Sequence, residues 1–349
     1  MKKYFALILA IVMSLSLVAC GQTTTPADNG DDNETADPLN IVFSINEYAG
    51  EPQEIWMDAF AENIDKLSNG AIVVEKHYVG ELGEGSDLIE LIQSNVVNMG
   101  ACDCGPTSVV VPEVGIMALH WMMPNNWESL FDFLDNATCI KMFDDLYNAA
   151  GLNIVSWETE GANLWTADRE IHTPADFKGF NMRTMENTII QESFKAYGAN
   201  ATVIAFSELY SALQLGTVDG QENPASVIMT NSYNDVQDYL IQGNADWNFF
   251  TIVTNSAFEA SLTQEQKDII NQASAAASAA YREKVESNEK AALDELVNVR
   301  GMKLITLTDE EAQAFKDMSG SVRELYVKNA KGQSQAILDQ FLKDLENYK

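Results

Sequence analysis

The chain has 349 residues, 52 of them Asp or Glu against 21 Lys or Arg, for a formal net charge of −31. So negative a surface repels nucleic acid and anionic lipid headgroups, which excludes both as expected partners. Beyond the N-terminal region about 310 residues remain, the usual length of two domains.

Met1, Lys2 and Lys3 precede an almost uncharged run from Tyr4 to Ala19, a basic segment followed by an apolar one, which is the pattern of an export signal. The run is too short for a membrane span and ends at Leu17-Val18-Ala19-Cys20-Gly21. That ending looks like a lipobox. The pattern implies cleavage of residues 1–19, a lipid-modified Cys20, and attachment to the outer face of the cytoplasmic membrane, or release to the periplasm without the anchor. Residues 20–37, rich in Thr, Asp, Asn and Gly, have no apolar face to bury and read as a flexible tether. Three further cysteines, Cys102, Cys104 and Cys139, cannot all pair, so no disulfide framework is expected. Cys102-Asp103-Cys104 lacks a second ligand pair, and neither a metal site nor a cofactor is expected.

Leu39–Ile45 reads as a strand and Glu54–Leu67 as a helix with Ile55, Ala59, Phe60 and Ile64 at helical spacing, closed by Asn69-Gly70. Ala71–Glu75 is a second strand and Ser86–Gln93 a second helix, with Ser86 and Asp87 as its expected cap. A further strand is expected around Val97–Ala101, and another over Asn153–Trp157. Thr173-Pro174-Ala175-Asp176 opens a helical turn, with Thr173 as cap and Pro174 in the first helical position. Phe180–Arg183 follows as a strand, Thr188–Tyr197 as a helix closed by Gly198, Ala201–Ile204 as a strand, and Ser207–Leu215 as a helix stopped by Gly216. Trp247–Thr254 is a strand and Thr263–Val297 a long alanine-rich helix. This alternation predicts an α/β fold with mainly parallel sheets covered by helices, and with ligand at the carboxyl ends of the strands.

From Ile171 to Thr254 the chain resembles the extracellular solute-binding subunits of tripartite ATP-independent periplasmic (TRAP) transporters, the DctP type. The resemblance rests on Ile171-His172-Thr173-Pro174-Ala175-Asp176-Phe177-Lys178-Gly179, Met182-Arg183, Gly198-Ala199, Ala205 to Gln214, and Val218-Asp219-Gly220-Gln221-Glu222-Asn223-Pro224. Weaker similarity runs from Leu39 to about Tyr281. It implies a two-lobed, periplasmic-binding-protein-like fold with a hinged cleft and the long helix spanning both lobes. Lobe I is then 38–160 plus 249–288, and lobe II is 161–248 plus 289–349.

In the family an arginine at the Arg183 position pairs with the ligand carboxylate, and a guanidinium fork suits that task as lysine does not. Asn223, held extended by Pro224, is implied to donate its amide to the ligand, and Phe206 to pack on it. The opposite lobe is expected to supply Asn46, Glu47, Tyr48 and Asp103, with Glu186 near the Arg183 strand end. Many relatives carry a second arginine where Asn163 stands here. With that cation missing, Trp165 and Trp157 are expected to offer a flat wall, moving the ligand from a dicarboxylate toward one carboxylate on a hydroxylated or aromatic frame.

The expected function is capture of such an organic acid and delivery to TRAP membrane subunits by a monomeric, non-catalytic protein. The alternative is a C4-dicarboxylate or other organic-anion binder serving an ABC importer or a receptor. The histidines His77, His120 and His172 are scattered and form no catalytic motif.

Overall fold

The computed structural model describes residues 38–330 and 332–348. The export signal, Cys20 and the tether lie outside them. In chain order the elements run β1 (Leu39–Ser44), α1 (Pro52–Ser68), β2 (Ile72–His77), α2 (Ser86–Gln93), β3 (Met99–Asp103), α3 (Cys104–Thr107), α4 (Trp127–Asn136), α5 (Thr138–Lys141), α6 (Phe143–Ala149) and β4 (Leu152–Ala162). There follow β5 (Leu164–Ala167), β6 (Asn181–Thr184), α7 (Thr188–Tyr197), β7 (Asn200–Val203), α8 (Leu209–Gln214), β8 (Gly220–Asn223), α9 (Ala225–Thr230) and β9 (Tyr239–Gln242). The chain ends with β10 (Trp247–Asn255), α10 (Ser256–Ser261), α11 (Gln264–Asp294), β11 (Lys303–Thr306), α12 (Asp309–Ala330) and α13 (Ser334–Asp344).

Local chemistry sets several of these boundaries. Pro52 opens α1, where its missing N–H costs nothing, and Asn69 in the left-handed region closes it. Asn187 accepts from the Ile190 N–H at 2.9 Å to start α7, and Gly198 ends it at φ 104°. Thr263 and Gln266 exchange side-chain-to-backbone bonds of 3.2 and 2.9 Å, a reciprocal cap at the start of α11. The expected Ser86-Asp87 cap of α2 is not made: Gly85, with φ 58°, takes the cap position without a side-chain bond. The helix expected over Ser207–Leu215 begins instead as a 3-10 turn at Phe206–Glu208 and becomes α8.

The strands form two sheets of order β2-β1-β3-β10-β4 and β11-β9-β5-β8-β6-β7. β1 pairs in parallel with β2 and β3, and β6 with β7 and β8, while β10 and β5 run antiparallel to their neighbours. The sheets are therefore mixed, as the two-lobed fold requires of strands that pass from one sheet to the other. β4 of the first sheet leads through Asn163 directly into β5 of the second, and β9 returns through 243–246 to β10. Asn163 donates its backbone N–H to the Asp246 carbonyl at 3.0 Å and its side chain to Asp246 Oδ2 at 2.6 Å, so the two crossovers are tied together.

The first sheet packs Phe43, Ile41 and Phe250 against Trp56 and Phe60 of α1 and Tyr281 of α11. Behind the second sheet, Trp165, Phe177, Phe194, Tyr197 and Phe315 form an edge-to-face cluster. No helix among the described residues is long and apolar enough to cross a membrane.

Candidate functional site

Between the carboxyl ends of the two sheets lies a cavity of about 340 Å³. Asn46 and Glu47 reach it from the loop after β1 and Asp103 from the end of β3; Arg183, Glu186, Phe206 and Asn223 reach it from β6, β8 and the connections that follow β6 and β7. Tyr48 stands beside it, its ring 5.8 Å from that of Phe206. The strand ends thus bring together residues up to 202 positions apart, from Asn46 to Asn248.

Arg183 is 2% exposed, and its Nε donates to the Ile204 carbonyl at 3.0 Å. That bond fixes the guanidinium plane and leaves both terminal nitrogens uncommitted. No carboxylate of the described residues lies within 4.0 Å of it. Burial alone pushes its pKa down, with Tyr233, Glu222, Glu84 and Asp103 partly countering that effect. It is a desolvated cation waiting for an anion. Asn223 donates to Gln221 Oε1 in a short bond, and Gln221 in turn donates to Thr166 Oγ1 at 3.3 Å, which orients the amide along β8.

Opposite Arg183 stands a network of acids, Glu47 and Glu160 buried and Asp103 half-buried. Asp103 accepts from Asn46 Nδ2 at 2.7 Å and from Gln53 Nε2 at 2.9 Å; Glu160 accepts from Gln53 at 2.8 Å and from Asn248 Nδ2 at 2.6 Å. Glu47 accepts from the Gln53 N–H at 2.6 Å with one oxygen, and its Oε1 has no partner. Burial pushes Asp103 up to about 6, and Glu47 and Glu160 well above the carboxylate range, the acids reinforcing one another. Outside this group Glu51, at about 7 through burial, accepts from Asn231 across the cleft and from the Tyr48 N–H at 2.6 Å. Glu84 accepts from Ser207 N and Oγ at 3.1 and 2.5 Å, again across the cleft.

Three expected residues lie elsewhere. Trp165 is 2% exposed inside the aromatic cluster behind the sheet, because alternation along β5 turns its ring away from the cavity side. Asn163 spends its amide on Asp246 at the crossover and borders a separate void of about 10 Å³. Trp157 packs on Phe143 and Tyr147. The expected flat tryptophan wall is absent, and acids and amides stand there instead. Sequence reasoning missed Glu160, Gln53, Asn248 and Met185. The signal for Glu160 was present: Glu158 and Glu160 lie close together in the strand Leu152–Ala162, both are buried, and a buried strand tolerates carboxylates only where they are paired or used. Glu158 is the paired one, 2.8 Å from Arg282.

Residues 43–329 match the family model of bacterial extracellular solute-binding proteins, family 7, DctP. The chain belongs to that family. It is 32% identical over 318 residues to the ectoine-binding periplasmic protein TeaA of Halomonas elongata, covering 88% of this chain and 90% of TeaA. The high-resolution structure of the ectoine-binding protein of the TeaABC TRAP transporter superposes with a TM-score of 0.85, covering 88% of this chain and 99% of that one at 30% identity. The sugar-acid-binding protein DctPAm of Advenella mimigardefordensis, in complex with galactonate, gives a TM-score of 0.82 at 29% identity, covering 88% and 99% of the two chains. The DctP-family fold accounts for the two sheets, the crossovers and the cavity at the strand ends.

Proposed function

We propose that this protein captures a small solute bearing one carboxylate on a cationic or hydroxyl-rich frame and delivers it to the membrane subunits of a TRAP transporter. One observation carries the ligand class: a single buried guanidinium, Arg183, shares its cavity with Glu47, Asp103 and Glu160. Arg183 and Asn223 take the carboxylate. The acids accept hydrogens from the other end of the ligand, whether amidinium, ammonium or hydroxyl. A second carboxylate would meet Glu47, Asp103 and Glu160 with no cation beside them, in surroundings that already raise the acids' own pKa values and so disfavour further negative charge. The ectoine and galactonate specificities of the relatives fit this division, since ectoine joins an amidinium to a carboxylate and galactonate joins hydroxyls to one. Phe206 and Tyr48 cover the mouth. The resemblance implies lobes at 38–160 plus 249–288 and at 161–248 plus 289–349, closing over the ligand, while α13 of the second span packs on the first, its Phe341 ring 5.2 Å from that of Phe133. His77, His120 and His172 line none of this cavity, which favours binding over catalysis.

Calorimetric titration with ectoine, galactonate, glucuronate, orotate and succinate tests the proposal. Ectoine or a polyhydroxylated monoacid is expected to bind at least a hundredfold more tightly than succinate, about 2.7 kcal/mol. Tightest binding of succinate would overturn the ligand class. Export and anchoring at Cys20 are tested separately: the mature chain is expected to carry diacylglycerol on Cys20, and Cys20→Ala to be released from membranes.

A further inference from the structure

Behind Arg183 and Asn223, on the far side of β8, three side chains from distant parts of the chain meet in the interior. His120 comes from the segment before α4, Glu222 from β8, and Asp246 from the crossover into β10. They are 2%, 1% and 3% exposed, and each offers one ligand atom within 4.8 Å of the others'. His120 Nε2, both Glu222 oxygens and Asp246 Oδ1 have no hydrogen-bond partner, and neither has Oδ1 of the neighbouring Asn163. His120 Nε2 stands 4.0 Å from Asp246 Oδ1. Leaving even one such buried atom unsatisfied costs about 1–3 kcal/mol, and more when it carries charge. No lysine or arginine of the described residues lies within 4.0 Å of either carboxylate.

We propose that His120 Nε2, Glu222 and Asp246 Oδ1 form a buried site for one divalent transition-metal cation. An imidazole and two carboxylates suit zinc, whose ligand distances of about 2.0–2.2 Å these atoms reach by drawing inward about half an ångström or more. The surroundings are built for ligation. Tyr197 Oη lies 3.0 Å from His120 Nδ1 and accepts from Trp121 Nε1 at 2.9 Å. An Nδ1–H donated to that oxygen leaves Nε2 as the lone-pair nitrogen that a metal needs. Asn163 Nδ2, at 2.6 Å, holds Asp246 Oδ2, so that Oδ1 is the free oxygen. Edge-to-face packing of His120 on Phe194 fixes the ring. A cation there neutralises the two acids and ties the crossover at Asp246 to the strand that carries Asn223. It stiffens the joint between the sheets without touching the solute.

Full-length mature protein, stripped by refolding in chelator, tests this by elemental analysis and melting with zinc added during refolding. One zinc per chain and a rise in Tm of several degrees are expected, both lost in Glu222→Gln and in His120→Gln. His77, flanked by Glu75 and Glu81 at 3.0 and 3.1 Å, and His172, between Glu311 at 2.8 Å and Glu170 at 3.8 Å, are competing surface sites, so His77→Ala and His172→Ala must each retain both effects. Should the buried-site variants fold poorly, cobalt(II) bound to wild-type protein reports through its visible spectrum, where an N/O-ligated band in wild type, in His77→Ala and in His172→Ala supports the site. Absence of retained metal and of any zinc-dependent shift overturns the proposal, as does a shift that disappears with His77→Ala or His172→Ala.

Discussion

Arg183 carries a charge where water is scarce and no acid is in contact with it, so its removal costs the empty protein little and the complex a great deal. Arg183→Ala is expected to weaken solute binding by about 2–5 kcal/mol in calorimetry while moving the melting point of the free protein by only a few degrees. Arg183→Lys keeps the charge but loses the planar fork and the Nε bond to Ile204, and should recover only part of the loss. The acids opposite make the free protein sensitive to pH. Glu51 and Asp103 titrate near 7 and 6 in the fold because burial disfavours their charged forms, above their ordinary carboxylate range. The folded state therefore holds protons that the unfolded chain has released, and the stability present below about pH 4.5 is lost as pH rises through 6 to 7. Melting curves of solute-free protein should fall from pH 5 to pH 8, less steeply in Glu51→Gln; a flat or rising profile would contradict this origin. At this scale the sequence was legible where a motif fixed the residue: Arg183, Asn223 and Phe206 stand at one cavity with Asn46, Glu47, Asp103 and Glu186. It was not legible where identity depended on the facing of a strand. Trp165 and Asn163 lie next to the site in sequence, yet pleating and the crossover direct them away from it.

The elements that matter most are the two crossovers and the strand ends beside them. β1, α1, α7 and α11 were readable because their periodicity and caps are local properties of the chain. The short strands β5, β8, β9 and β11 were not, since four residues are too few to show a period and become strands only through their partners. β8 shows how tight that partnership is. A Cβ on Gly220 would stand 2.1 Å from the Thr166 carbonyl oxygen and 2.6 Å from the Phe180 ring, so the strand would have to leave its neighbours. Gly220→Ala is expected to cost about 3 kcal/mol or more in denaturant unfolding, or to give insoluble protein. Contacts across the cleft act differently. Glu84, bonded to Ser207 N and Oγ, joins the two sides of the cleft, so Glu84→Ala should lower solute affinity by about 1 kcal/mol with no comparable loss of thermal stability.

Over the whole molecule, the charge of −31 opposes every anion that approaches. Screening by salt weakens that opposition, with a Debye length of about 10 Å at 0.1 M. A singly negative solute should therefore associate faster as ionic strength rises, whereas a zwitterion should be nearly indifferent. Stopped-flow association rates at low and high salt then separate the two kinds of frame without a structure of either complex. The metal ligands His120, Glu222 and Asp246 are whole-molecule features too, drawn from three separate stretches of chain, and no spacing in the sequence announces them. One further connection reaches across the fold. Glu289, near the end of α11, accepts from the Ala225 and Ser226 N–H groups at 2.8 and 2.9 Å, at the start of the short helix that follows Asn223. The same side chain lies against Gly161, where an added Cβ would come within 3.0 Å of it. The long helix, running from α1 on the first sheet to this point, is thus mechanically in series with a residue of the cavity wall. A dye on the outer surface of α11 would serve as a remote gauge of occupancy, and cutting the coupling with Glu289→Ala would silence the gauge before it emptied the site.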